Sequence, residues 1–145
     1  MRNVFIAVAL AVCSVTASAQ NGGNVLYSHL DLPTENQVLS RADLTLHGWA
    51  FNCTKGGQQP FNVKVSLLTG TELIDVPVQR YSAIYRPDVK AAFEGRRCPE
   101  MSSYTGFALV PVNWESLPTG TFTLVVEHSD SNGAAYSQMR VTLVP

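Results

Sequence analysis

The chain has 145 residues, of which 14% are charged and 46% hydrophobic, and its formal net charge is -1. That balance excludes a disordered chain, a strongly basic nucleic-acid binder and an acidic tail protein. The length leaves room for one domain with a substantial core.

Residues 1–19, MRNVFIAVALAVCSVTASA, carry a positive start at Arg2, an unbroken apolar run from Val4, and the small-x-small triplet Ala17-Ser18-Ala19. This order predicts a cleaved signal peptide, and the apolar run is too short to span a bilayer. A lipid-attachment reading at Cys13 stands as a minor alternative, disfavoured by bulky Val12, since such a cysteine wants a small residue before it. No later stretch is long and apolar enough for a membrane span. The expected mature domain is residues 20–145, with 20–24 a loose tail. Losing Arg2 leaves nine basic residues against eleven acidic ones, a net charge of -2.

Export also leaves two cysteines, Cys53 and Cys98, which most simply form one disulfide. In the chain-entropy picture a bridge closing so long a loop contributes about 4 kcal/mol. It should clip a long connection onto a strand end, unlike the core-crossing bridge of antibody domains. Zinc-ligand spacing is absent, and a reactive thiol would have to stay reduced outside the cytoplasm.

Period-2 alternation recurs along the rest of the chain. Strands are predicted at about residues 25–30, 44–52, 61–68, 73–78, 104–113, 121–128 and 135–143. Between them lie turn signals such as Thr69-Gly70-Thr71, Leu117-Pro118-Thr119-Gly120 and Asp130-Ser131-Asn132-Gly133. Seven short strands at this spacing predict an all-β, two-sheet antiparallel sandwich. Residues 85–99, YRPDVKAAFEGRRCP, read as a long crossover loop, with a helical turn over 89–93 ended by Gly95.

Several motifs in this order resemble the bacterial immunoglobulin-like domains of secreted and surface proteins. They are Pro33 to Gly48 followed by Trp49-Ala50, resembling an opening strand, a turn and a strand ending in Gly-Trp-Ala, then Val63-Lys64-Val65-Ser66-Leu67 with Gly70, Arg86-Pro87-Asp88-Val89, Gly106-Phe107, Leu117-Pro118-Thr119-Gly120 with its following strand, and Asp130 to Gly133. The resemblance covers nearly all of 31–144 and implies an immunoglobulin-like sandwich. The family is defined by fold, and its members serve as spacers, adhesin modules and accessories to enzymes, so no single function transfers with it.

Catalytic signatures are missing: there is no G-x-S-x-G, no H-E-x-x-H and no phosphate-binding glycine loop. His29, His47 and His128 share no ligand spacing, although His47 and His128 fall in predicted strands and a shared face is conceivable. Glu115, Glu127 and Asp130 are carboxylates with nothing to pair them across a bond. Asp130 to Gly133 reads as a plain turn rather than a calcium loop. Asn52-Cys53-Thr54 is formally a glycosylation sequon, hindered if Cys53 is bridged. No cofactor and no metal are expected.

The stretch 80–97 stands out because it holds five of the nine mature basic residues. Arg80, Tyr81, Tyr85, Lys90, Arg96 and Arg97 are the candidate partner-binding residues, since arginines and aromatics on a disulfide-fixed loop suit recognition. Arg86, Pro87 and Asp88 are expected to be structural, with Arg86 pairing to Asp88 or to a backbone carbonyl. Trp49 is expected in the core, and Trp114, after a strand end, partly exposed. The expectation is thus an exported, non-catalytic binding module of the cell envelope. Its partner would be a protein or an envelope polymer, not nucleic acid, met at this loop or at a sheet edge. The alternatives are an exported inhibitor or accessory of an enzyme and, from another class, a metal-assisted enzyme built on His47 and His128.

Overall fold

The computed structural model describes residues 26–53, 61–80, 83–95, 98, 100–131 and 133–145. The expected signal peptide and tail lie outside these residues. The described chain folds into nine strands and one short helix. In order these are β1 (Leu26–Leu32), β2 (Gln37–Ser40), β3 (Leu46–Asn52), β4 (Asn62–Thr69), β5 (Glu72–Asp75), β6 (Val78–Arg80), α1 (Pro87–Phe93), β7 (Gly106–Pro111), β8 (Gly120–Asp130) and β9 (Gly133–Val144). Two sheets result, one ordered β1-β3-β7-β6 and the other β2-β9-β8-β4-β5. They stack as an all-β sandwich.

Alternation decides which side chains enter the layer between the sheets. Phe122, Leu124, Val126 and His128 of β8 point in and are buried, while Thr121, Thr123, Val125 and Glu127 point out. Val65 and Leu67 of β4, Leu46 of β3, Phe107 and Leu109 of β7, and Val141 and Leu143 of β9 complete the packing. Gly48 is required where β1, β3 and β7 run close together. A Cβ there would collide with the His29 carbonyl oxygen and lie 2.7 Å from Phe107 Cζ.

Three departures from the predicted strands have physical causes. The predicted strand 73–78 divides, because Pro77 cannot donate to a ladder and the chain changes sheets there. Val76 plugs the core between β5 and β6, donating its N–H to Val65 O at 2.9 Å. Strand β2 is not among the seven strands predicted from periodicity, although the resemblance implied an opening strand within 33–48: four residues are too few to show a period, and it holds its place by pairing with the end of β9. That pairing is parallel, so the sandwich is not wholly antiparallel. The chain passes from β1 to β2 through a cis Leu32–Pro33 bond.

The inter-sheet layer is graded. At one end it is leucine-rich, with Leu44, Leu46, Leu109, Leu117 and Leu143 all buried. At the other end, where Leu26 pairs with Asn52 and Asp130 with Gly133, the buried residues include Ser28, Asn52, His128 and Ser137.

Candidate functional site

The crossover segment does more than connect β6 to β7. The described residues among 83–105 lie as a strap over the outer face of the four-stranded sheet and build a second core there. Tyr27 of β1 and Trp49 and Phe51 of β3 point outward, and they pack with Val89, Phe93, Met101 and the two cysteines. Phe93 is the centre of this cluster. Its ring lies 5.4 Å from Tyr27, 5.4 Å from Trp49 and 5.0 Å from Phe51, in tilted or edge-on contacts. Trp49 is therefore buried, at 8% exposure, but in the outer cluster and not between the sheets.

Three clamps hold the strap. Cys53, at the end of β3, is bridged to Cys98, and both are buried. Their sequence separation is 45 residues. The bridge lies in the outer cluster, at a strand end. At the entry to the strap, Ile84 and Gly106 exchange backbone hydrogen bonds of 2.9 and 3.1 Å. A Cβ on Gly106 would lie 2.8 Å from Arg86 Cγ and 2.9 Å from Ile84 Cβ, so only glycine lets the strap ride this low.

The third clamp is Arg86. Its Nε and Nη2 donate to Asp88 at 2.9 and 2.7 Å, and its Nη1 donates to Asp31 of β1 at 2.6 Å. The hydrogen bond to Asp88 foremost, joined by that to Asp31 and by the charge of both carboxylates, outweighs the opposing effect of burial and holds the guanidinium firmly charged, well above its ordinary range. The Arg86 hydrogen bond in turn pulls the Asp88 carboxyl down to about 2. Asp31 also lies 3.6 Å from His29 Nε2, and the His29 ring stacks on Trp49 at 5.5 Å.

Helix α1 follows from its sequence. Pro87 occupies the first turn, where a missing N–H costs nothing. Gly95, in the left-handed region at φ 70°, turns the chain after it. Glu94 fastens the far side by accepting Met101 N–H at 3.2 Å, while Lys90 lies 3.5 Å from the same carboxylate.

Of the candidate partner-binding residues, Tyr85 is 58% exposed and Lys90 is engaged with Glu94. Tyr81, Arg96 and Arg97 lie outside the described residues, as does the side chain of Arg80. Tyr104, which sequence reasoning did not single out, is 57% exposed, and its ring lies 5.4 Å from that of Tyr85. The two rings form an exposed aromatic pair where the strap leaves and rejoins the sheet.

Other sequence candidates are not brought together. His47 alternates onto the outer side of β3, whereas His128 is fully buried inside the sandwich, so they share no face. Among the described residues no group of three or more His, Cys, Asp or Glu could hold a metal ion. Glu115 sits in a short 3-10 turn, Glu127 points outward from β8, and Asp130 ends that strand. Asn52 of the formal sequon is buried and donates to Asp130 at 3.1 Å. Trp114 is 39% exposed. No helix among the described residues is long and apolar enough to cross a membrane.

The signal for the second core was present in the sequence. Leu26-Tyr27 and Trp49-Ala50-Phe51 are apolar at successive positions, which marks a strand covered on both faces. Comparison with known proteins adds no family: no protein-family model matches the chain, and no curated protein matches it.

Proposed function

We propose that the chain is an exported, non-catalytic, immunoglobulin-like binding module of the cell envelope. The observation that carries this reading is the clamped strap displaying Tyr85 and Tyr104. A strap held by a disulfide, a bridging arginine and an aromatic cluster meets its ordering cost on folding, so a partner gains the aromatic contacts without that loss. Tyrosine suits such a role, offering a large apolar surface with a polar tip at little rotamer cost. The disulfide fits an oxidising compartment, which supports export. The two-sheet architecture and the strand-end turns support the immunoglobulin-like assignment. The partner class is a protein or envelope polymer that presents apolar or sugar faces to the tyrosine pair.

Site-specific photocrosslinking tests this reading. A crosslinker at Tyr85 should capture envelope material that one at Thr123, on the opposite face, does not. Tyr104→Ala should reduce that capture while leaving the melting temperature nearly unchanged. Equal capture from both positions would refute the strap as the binding surface.

A further inference from the structure

The strap sets two phenols side by side in solvent. Tyr85 lies between β6 and α1, and Tyr104 lies just before β7. They are 58% and 57% exposed, and their ring centroids are 5.4 Å apart with the planes tilted by 59°. The backbone that carries them is fixed on both sides. Ile84 and Gly106 exchange two hydrogen bonds, and Arg86 N–H donates to the Ser103 carbonyl. An exposed ring on a fixed backbone still turns about its side-chain bonds on the nanosecond scale. Such turns bring the edge of one ring to the edge of the other without lifting the strap.

The other described tyrosines are placed differently. Tyr27 is 6% exposed, packed in the outer cluster against Phe51 and Phe93. Tyr136 faces outward from β9, in the other sheet. Cys53 and Cys98 are spent in the disulfide, so the described residues offer no free thiol to reduce a tyrosyl radical.

We propose that Tyr85 and Tyr104 form an oxidative modification site, coupled to each other as dityrosine by a haem peroxidase using hydrogen peroxide. Each phenol gives up one electron and one proton, and the peroxide takes up both pairs to become two waters. The two phenoxyl radicals then join through one ε carbon each, ortho to the oxygen, in a single carbon–carbon bond. The hydrogen on each joined carbon moves to its own oxygen, which restores both phenols. Proximity favours this pairing over coupling between molecules, because the partner ring is already in contact. The new bond makes covalent the junction that the Ile84–Gly106 hydrogen bonds hold, and it closes the strap at its two ends. The chemistry is independent of what the strap binds.

Treating dilute, disulfide-bonded protein with a haem peroxidase and hydrogen peroxide provides the test. The monomer should gain dityrosine fluorescence and lose the mass of two hydrogen atoms. Digestion should release one cross-linked pair of peptides that holds Tyr85 and Tyr104. Tyr85→Phe and Tyr104→Phe should each cut the monomer's dityrosine fluorescence about tenfold, whereas Tyr136→Phe should leave it unchanged. Fluorescence confined to covalent dimers, or undiminished in either of the first two variants, would overturn the proposal. So would a protein that stays uncoupled in a mixture where free tyrosine couples.

Discussion

The outer faces of the two sheets obey the same alternation and end differently. On the four-stranded sheet, outward positions carry Tyr27, Trp49 and Phe51, and the strap covers them. On the five-stranded sheet, outward positions carry Thr121, Thr123, Val125 and Gln138, and they remain half-buried or exposed. Thr121 and Thr142 even pair their hydroxyls at 2.9 Å on that open face. The difference teaches that the composition of a strand's outward face determines whether a connecting segment must fold back over it. Aromatic surface of that size is too costly to leave wet, and threonine is not.

Substitutions on the two faces should therefore diverge. The largest effect is expected for Phe51→Ala, which removes a fully buried ring from the outer cluster and should cost about 3–5 kcal/mol in urea unfolding. Cys53→Ser together with Cys98→Ser should cost about 2–4 kcal/mol. That loss should appear as faster hydrogen exchange in α1 before the β8–β9 hairpin is affected. Gly106→Ala should cost about 1–3 kcal/mol by lifting Ile84 and Arg86 off the sheet. On the open face, Thr123→Ala should stay within about 0.5 kcal/mol of wild type. Equal costs for Phe51→Ala and Thr123→Ala would erase the distinction between the faces.

A smaller effect separates the faces by pH. The Asp88 carboxyl is held at about 2 by Arg86, below the ordinary carboxylate value. Its contribution is present above the ordinary value and is lost as pH falls toward 2. Because Asp88 is solvent-exposed, screening keeps this contribution small. Asp88→Asn should flatten the acid limb of the stability curve slightly, and high salt should reduce the difference between the two proteins.

Much of the sandwich was legible in the residues. The long alternating runs of β4, β8 and β9 and the glycine-bearing turns between them located those strands. The disulfide followed from cysteine arithmetic, and the helical turn over 89–93 was marked by Gly95 at its end, with the start at Pro87 left unread. The rest depends on tertiary partners. Strand β2 is too short to show a period, and β5 and β6 separate only because Pro77 sends the chain across to the other sheet. Trp49 was expected in the core without any means of choosing between two cores. Sequence drew attention to the basic residues of 80–97. The structure places Arg86 and Lys90 in ion pairs, so the exposed tyrosines become the more informative feature of the strap.

The covered aromatic face is best tested through the fluorescence of Trp49 in a Trp114→Phe background. With Trp49 at 8% exposure beneath Phe93, its emission should be blue-shifted and resist acrylamide, and reduction of the disulfide should make it quenchable. Emission that is quenched in the native, oxidised protein as readily as that of a free indole would contradict the covering strap.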